Sequence, residues 1–590
     1  MQANSNASLL NNPATSFKFI HTSHSLARTL ATTCLSIVCL IVSIATWAED
    51  KEYDLLIKGG LVFDGSGVEG KKQDIAINNN KIVRLGVIND IGAKRIVNAT
   101  GLVVAPGFIN TLSWATESLL IDPRSQSNIR QGVTLEVFGE GNSMGPLNNK
   151  MHKALLERQS DYEFEIPWRS LGEYLEHLEN QGVSPNVASF VGATSVRRFV
   201  LGSNNITPNP QQLKQMQQLV ADAMLEGALG VGSALIYAPG SYAKTNELIA
   251  LAQTAHTYGG TYITHMRSEG DRIETAINEV IEIAKSSGAA AQIYHLKLAG
   301  KNNWHKFNYV QQMIEDAQGQ GINITANMYT YTAGSTGLDA AMPPWVQEGG
   351  YSSWANRLQQ PKIRQRVVKE MTAANSQWEN LLLAAGGDKT LLVGFNNPKL
   401  RHYTGKTLAE VARQTNRSLA DTAIDLVIED GSRVQVVYFL MSEENVEKTL
   451  ALPWVSFGSD AGSYSTEGVF LLRSTHPRAY GNFARVIGKY TRDEQVISLA
   501  EAIRKLTSLP AGQLKIKDRG LIQPGYKADL AIFDLNKVQD LATYEKPHQY
   551  AQGMVHVVVN GKFVLEHGNH TGNLPGQVVR GPGWRGWQNN

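Results

Sequence analysis

Short apolar runs, each closed by a glycine or polar break, recur along the chain and alternate with stretches of helical periodicity. Eight of them read as strands: Val103 to Phe108, Val133 to Phe138, Val187 to Val191, Gly230 to Ile236, Tyr262 to His265, Ala290 to Leu296, Ile322 to Tyr329 and Trp454 to Phe457. Between them Gln211 to Leu225 places Leu213, Met216, Leu219, Val220 and Met224 on one helical stripe, and Ile273 to Lys285 repeats the pattern. Eight strands separated by helices predict a closed barrel with its site at the strand C-terminal ends. The stretch Ile363 to Ala451 is too long for one crossover and carries two more apolar runs, Leu381 to Ala384 and Val434 to Leu440, so the strand count is open by one.

The two ends of the chain follow a different pattern. Tyr53 to Lys58, Asp74 to Ile77 and Lys81 to Leu85 are short strands punctuated by Gly59-Gly60 and Asn78-Asn79-Asn80; Asp529 to Phe533, Val555 to Val559 and Lys562 to Leu565 are their counterparts near the other end. Neither set alone has the apolar surface for a core, so one small β domain built from both is expected. The fold class is thus α/β, a TIM-like β/α barrel with a small β-sandwich domain made of both chain ends. Residues 49–104 and 516–568 supply the small domain, 105–515 the barrel, and 569–590 an extended, wrapping tail. Leu147 to Ser184 and Tyr329 to Tyr351 are expected to cover the substrate.

Before residue 49 the chain has only Lys18 and Arg28 as charges, and Leu30 to Ala48 has none. This run ends in Ala45-Thr46-Trp47-Ala48 before Glu49-Asp50, which reads as a signal peptide over residues 1–48 and a periplasmic or secreted product. An uncleaved anchor helix is the alternative, because a span needs roughly 20 residues. Cleavage removes two of the 55 basic residues and leaves them matched to the 53 acidic ones, which gives no reason to expect a nucleic-acid partner. It also removes both cysteines, Cys34 and Cys39, so ligands and bases must come from His, Asp, Glu, Lys or water.

His265 and His295 each end a predicted strand, where neighbouring strands about 4.8 Å apart would let two imidazoles meet one ion. Singly, a histidine in such a place is more often a surface hydrogen-bonding residue; the parallel placement of two favours a ligand pair. Asp460 closes the last predicted strand and is a candidate to bind metal or relay a proton from water to a leaving amine. Alternation over Thr134 to Glu140 turns Glu136, Phe138 and Glu140 inward, and Glu140, nearest the loop, becomes a further candidate ligand. Lys297, Arg267 and Arg478 are candidates to clamp a substrate carboxylate.

Several separate motifs, in order, resemble the amidohydrolase superfamily and within it the D-aminoacylases: Val104-Ala105-Pro106-Gly107-Phe108-Ile109, Gln131-Gly132-Val133-Thr134, Leu235-Ile236-Tyr237-Ala238-Pro239-Gly240, Tyr331 to Gly337, Gly458-Ser459-Asp460, His476 to Gly481 and Gly520 to Leu530. The resemblance implies that His265 and His295 are the fifth- and sixth-strand metal histidines and that Asp460 activates water. It further implies that Lys297, Arg478 and one of Tyr329 and Tyr331 hold a substrate carboxylate. The chain departs from the family where Asp-x-His-x-His becomes Asn110-Thr111-Leu112-Ser113-Trp114 and where the bridging cysteine is missing near Gly139-Glu140-Gly141-Asn142. These departures lead to the expectation of one divalent metal, zinc by preference, on His265, His295, Glu140 and water.

The reaction expected is metal-dependent hydrolysis of a non-peptide amide, with N-acyl-D-amino acids as substrates and dipeptides or cyclic amides left open. A barrel that binds small carboxylates without catalysis is the alternative, favoured by the two lost histidines and opposed by the retention of His265, His295 and Asp460. The partner expected is a small molecule bearing a carboxylate, with no stable membrane span after cleavage; the sequence is compatible with a homo-oligomer.

Overall fold

The apolar run beginning at Val103 is broken at Gly107, and its two halves enter different sheets: Val103–Pro106 joins the sheet of the chain ends, whereas Phe108–Asn110 starts the barrel. A Cβ at Gly107 would stand 2.1 Å from the Thr134 hydroxyl oxygen, so only glycine lets the chain cross there. The structure is a computed structural model that describes residues 53–90, 92–374 and 378–586. The apolar segment assigned to export lies outside the described residues. Among the described residues no helix is long and apolar enough to cross a membrane.

From Phe108–Asn110 the parallel order runs to Val133–Phe138 and Asn186–Ser189, and the chain passes through Phe190 to Val191–Gly192, which pairs with Gly230–Ala234. Thr261–His265, Ala291–Ile293, Ile324–Met328 and Val455–Phe457 follow, all parallel. The ring closes where the Thr111 backbone N–H and hydroxyl both donate to the Phe457 carbonyl and Ser113 bridges Ala461. These strands are buried along their length save at Thr325, as parallel strands covered on both faces must be. Helix Ile273–Ser287 shows how the cover is built: Ile273, Ile277, Val280 and Ile283 recur at three- and four-residue spacing, all buried, and Gly288 ends the helix in the left-handed conformation. Each such side chain stabilises by about 1.5 to 3 kcal/mol on burial.

The two predicted runs between Ile363 and Ala451 do not enter the barrel. Leu381–Ala385 is a short helix whose first turn is capped by Asn380, and Gln435–Phe439 is the middle strand of an antiparallel sheet with Ala333–Gly337 and Thr390–Gly394. This sheet rises between the seventh and eighth barrel strands over its own apolar core, which includes Leu338, Trp354, Leu392 and Tyr438.

Strands from both chain ends form one nine-stranded sheet, joined where Leu530–Phe533 pairs antiparallel with Val103–Pro106. Beyond Asn569–His570 the tail joins the barrel: backbone N–H groups of Gly576, Val579 and Gly581 donate to the carbonyls of Val183, Val187 and Gly227, Val578 bridges Val187 in parallel, and Val579 packs on the cluster of Leu135, Ala188 and Ile263.

Candidate active site

Glu140 leaves the second barrel strand between two glycines held at positive φ, 111° at Gly139 and 68° at Gly141. The turn they permit carries the carboxylate over the barrel mouth, where it is buried against two imidazoles. Glu140 Oε1 lies 3.1 Å from His265 Nδ1 and 3.0 Å from His295 Nε2, and those two nitrogens are 2.9 Å from each other. His265 ends Thr261–His265; His295 follows Ala291–Ile293 by two residues in a left-handed conformation, φ 36°, with its backbone N–H donating to Asn327 Oδ1 at 2.6 Å.

A fourth residue stands behind the imidazoles. Glu269 Oε1 is 2.8 Å from His295 Nδ1 and 2.6 Å from Lys297 Nζ, and its Oε2 is 3.8 Å from the otherwise unpartnered, buried Nε2 of His265. Burial opposes its ionisation, but Lys297 and the two histidines together hold its carboxyl below the usual range. Glu140 behaves alike: burial raises its pKa and the imidazole hydrogen bonds more than reverse that. His295 goes the other way, up to about 9, since the two carboxylates outweigh burial and Lys297.

Two ring nitrogens and a carboxylate oxygen aimed at one another, within 2.9 to 3.1 Å, suit a divalent cation. Ligands about 2.0 to 2.1 Å from a tetrahedral zinc are spaced at roughly 3.3 Å. The outer nitrogen of each imidazole faces Glu269, the carboxylate backing that orients metal-ligating histidines. The acidic trio Glu443, Glu447 and Glu494 is a poorer set, because it is partly exposed and the Lys489 ammonium already pairs with Glu443 and Glu494.

Asp460, also left-handed at φ 50°, faces this cluster from the eighth strand. Its Oδ2 is 2.8 Å from Arg478 Nη1, and its Oδ1 accepts the Trp114 indole N–H at 3.2 Å; the same N–H reaches Glu140 Oε2 at 2.9 Å. Burial pushes Asp460 above the ordinary carboxylate range, Arg478 pulls it down, and Glu140 adds to the rise. Arg478 is 3% exposed and lies over the Tyr329 ring at 4.5 Å. Its approach to Asp460 is close but off the N–H axis, so Nε and Nη1 donate to no acceptor, and the buried Tyr329 hydroxyl is also unpartnered. All of these groups line a cavity of about 510 Å³.

The structure therefore brings together His265, His295, Glu140, Asp460, Arg478, Tyr329 and Lys297. It does not bring Arg267 or Tyr331 to the cavity. Arg267 is saturated by the Glu279 carboxylate and the carbonyls of Ser241 and Ala243, and the Tyr331 hydroxyl donates to Asp540 at 3.3 Å. Both assignments as carboxylate clamps are thus corrected. Sequence reasoning missed the Trp114 indole N–H that joins Glu140 to Asp460, and it missed Glu269, which sits four residues after His265, a spacing that could have singled it out.

A model of the amidohydrolase family matches residues 439–565. D-aminoacylase of Alcaligenes xylosoxydans xylosoxydans is 30% identical over 536 residues, covering 90% of this chain and 98% of its own. A solved structure of D-aminoacylase, concerned with its binuclear metal centre, superposes with a TM-score of 0.75 at 30% identity over 90% of this chain and 100% of its own. N-acyl-D-glutamate deacylase of Bordetella bronchiseptica, complexed with zinc and a phosphonate mimic of the tetrahedral intermediate, superposes with a TM-score of 0.74 at 26% identity over 90% and 100%. The expectation of a single metal ion is overturned by the binuclear centre of D-aminoacylase taken with the ligand cluster found here. Counting the histidines lost at Leu112 and Trp114 undervalued Glu140, which turns Oε1 to the imidazoles and Oε2 toward the Asp460 side. By sequence, fold and the order of its site residues around the barrel, the chain belongs to the amidohydrolase superfamily, in the branch of the D-aminoacylases.

Proposed function

We propose that the chain hydrolyses the amide bond of N-acyl-D-amino acids in a metal-dependent reaction. The observation that carries this reading is the position of two sets of buried groups on one cavity: the Glu140, His265 and His295 ligands, and the unpaired donors of Arg478 and Tyr329. The D configuration is supported by the relatives, a D-aminoacylase and an N-acyl-D-glutamate deacylase.

Glu140, His265 and His295 would hold metal, which when bound polarises an acyl carbonyl and acidifies water. Arg478 and Tyr329 meet the substrate α-carboxylate with N–H and O–H groups that have no other acceptor, and Lys297 adds a cation beside them. Asp460 accepts the proton of the attacking water and returns it to the amide nitrogen as the carbon–nitrogen bond breaks, leaving a carboxylate and a free amine. Its raised proton affinity brings it nearer to working pH, which suits a group that must both take and give a proton. The Trp114 indole N–H fixes the carboxylates of Asp460 and Glu140 in orientation. Export is proposed alongside, supported by the uncharged stretch Leu30 to Ala48.

The test is release of free amine from paired N-acetyl-D- and N-acetyl-L-amino acids by metal-reconstituted protein. Turnover of the D series is expected, with Asp460→Asn reducing kcat by about 10² to 10⁴. Absence of amine release from every member under metal-replete conditions would refute the reaction, and preference for the L series would refute the stereochemistry.

A further inference from the structure

Six cationic side chains line the cavity: Arg158, Arg198, Lys297, Arg433, Arg473 and Arg478. Five have a carboxylate within 3.5 Å, namely Glu117, Glu269, Asp339, Asp161 and Asp460 in the order Arg158, Lys297, Arg433, Arg473 and Arg478. Arg198 is the exception among the described residues: its one partner is the Asn142 side-chain oxygen, 3.2 Å from Nη1. One neutral acceptor leaves most of the five guanidinium N–H donors unspent. Burial and the neighbouring Arg158 lower the Arg198 pKa to about 10, the mark of a cation held where its charge is poorly compensated.

The position of Arg198 in the barrel gives this imbalance a direction. Arg198 lies in helix Ala193–Leu201, directly after the third strand, and Asn142 in the loop after the second. The groups assigned to the α-carboxylate follow the sixth, seventh and eighth strands, so Arg198 occupies the opposite side of the mouth, with the Glu140, His265 and His295 cluster between. A substrate with its α-carboxylate at Arg478 and its amide at the cluster extends its far end toward Arg198.

We propose that Arg198 is a specificity-determining residue that binds a second anionic group on the substrate, so that N-acyl-D-amino acids carrying two carboxylates are preferred over their neutral counterparts. This rests on the deacylase reading. The second carboxylate belongs either to the amino-acid side chain or to the acyl group; both present the same chemistry to a guanidinium, which pairs with a carboxylate bidentately.

The experiment compares kcat/KM for two near-isosteric pairs, N-acetyl-D-glutamate against N-acetyl-D-glutamine and N-succinyl-D-alanine against N-butanoyl-D-alanine. In the wild type one pair is expected to favour the dianion. Arg198→Gln is expected to erase that preference by about ten- to a hundredfold while leaving the neutral member within twofold, and Arg198→Lys is expected to restore part of it. Collapse in the first pair places the second anion on the side chain, and collapse in the second pair places it on the acyl group. No dianion preference in the wild type, or equal losses for both members of each pair in Arg198→Gln, would overturn the proposal. Should the wild type hydrolyse none of the four, the deacylase reading fails, and calorimetric binding of the same dianions still decides the role of Arg198: selective weakening in Arg198→Gln sustains it, and unchanged binding refutes it.

Discussion

Replacing Arg478 with methionine removes the guanidinium and keeps an apolar stem over the Tyr329 ring, where Arg478 stands at 4.5 Å. Two effects follow from its contacts. The N–H groups at Nε and Nη1, which have no protein acceptor, are lost to the substrate, and hydrogen bonds to charged groups contribute about 1.5 to 3 kcal/mol each. One such bond corresponds to roughly ten- to 150-fold in kcat/KM for a carboxylate substrate. The second effect falls on Asp460. With Arg478 gone, the largest attraction opposing burial at Asp460 disappears, so its pKa rises further. Because Asp460 must be ionised to accept a proton, the acid limb of the pH–rate profile is expected to move to higher pH. The assay measures kcat/KM against pH for an N-acetyl-D-amino acid and its carboxamide, with metal content determined on the same samples. A plateau loss confined to the carboxylate, an acid limb displaced upward for both substrates and unaltered metal content are expected, since Arg478 makes no contact with Glu140, His265 or His295. An unchanged ratio between carboxylate and carboxamide would refute the assigned grip, and an acid limb displaced downward would refute the electrostatic link to Asp460.

Glu269→Gln keeps the shape behind the imidazoles but removes the charge that faces both outer nitrogens, and metal affinity is expected to fall about ten- to a hundredfold by competition with a chelator. His556, buried in the sheet of the chain ends with the His567 ring 4.7 Å away, is lowered to about 4 by burial and then by that neighbour. Between that value and the unfolded value of about 6.5 the unfolded chain takes up the proton first, so stability falls as pH drops through this window. Urea midpoints measured from pH 7 to 4.5 should show the decline, and His556→Gln should flatten it. For export, mass spectrometry of the protein from its source cells is expected to find an N-terminus at or near Glu49; an intact N-terminus on a cytoplasmic product would contradict it.

The barrel strands were legible because parallel strands covered on both faces are written as unbroken apolar runs, and the candidate ligands because His265 and Asp460 stand where such runs stop. Alternation along Thr134 to Glu140 misled: Leu135 and Val137 pack inside the barrel with Ile263 and Tyr294, Glu136 and Phe138 turn toward the helices, and Glu140 reaches the mouth only through the turn at Gly139. What stayed hidden depended on contacts distant in sequence. Nothing in the run Val103 to Phe108 says that Gly107 splits it between two sheets; that follows from the approach of Thr134. Arg267 and Arg478 are alike as sequence, and only the fold places Glu279 against the first and Tyr329 against the second. The number of metal ions was likewise misjudged from ligand counting, because which way each Glu140 oxygen turns is a property of the folded loop.

The pairing of Val103–Pro106 with Leu530–Phe533 sets a timetable for folding. The earlier strand emerges from the ribosome about 420 residues before its partner, an interval of roughly 20 to 80 s at 5 to 20 residues per second. Through that interval an apolar strand edge has no neighbour on one side, and such an edge is a template for association with other chains. Slowing synthesis of the last sixty or so residues should therefore lower the yield of soluble protein, and the loss should be greatest at high expression, where nascent chains meet most often.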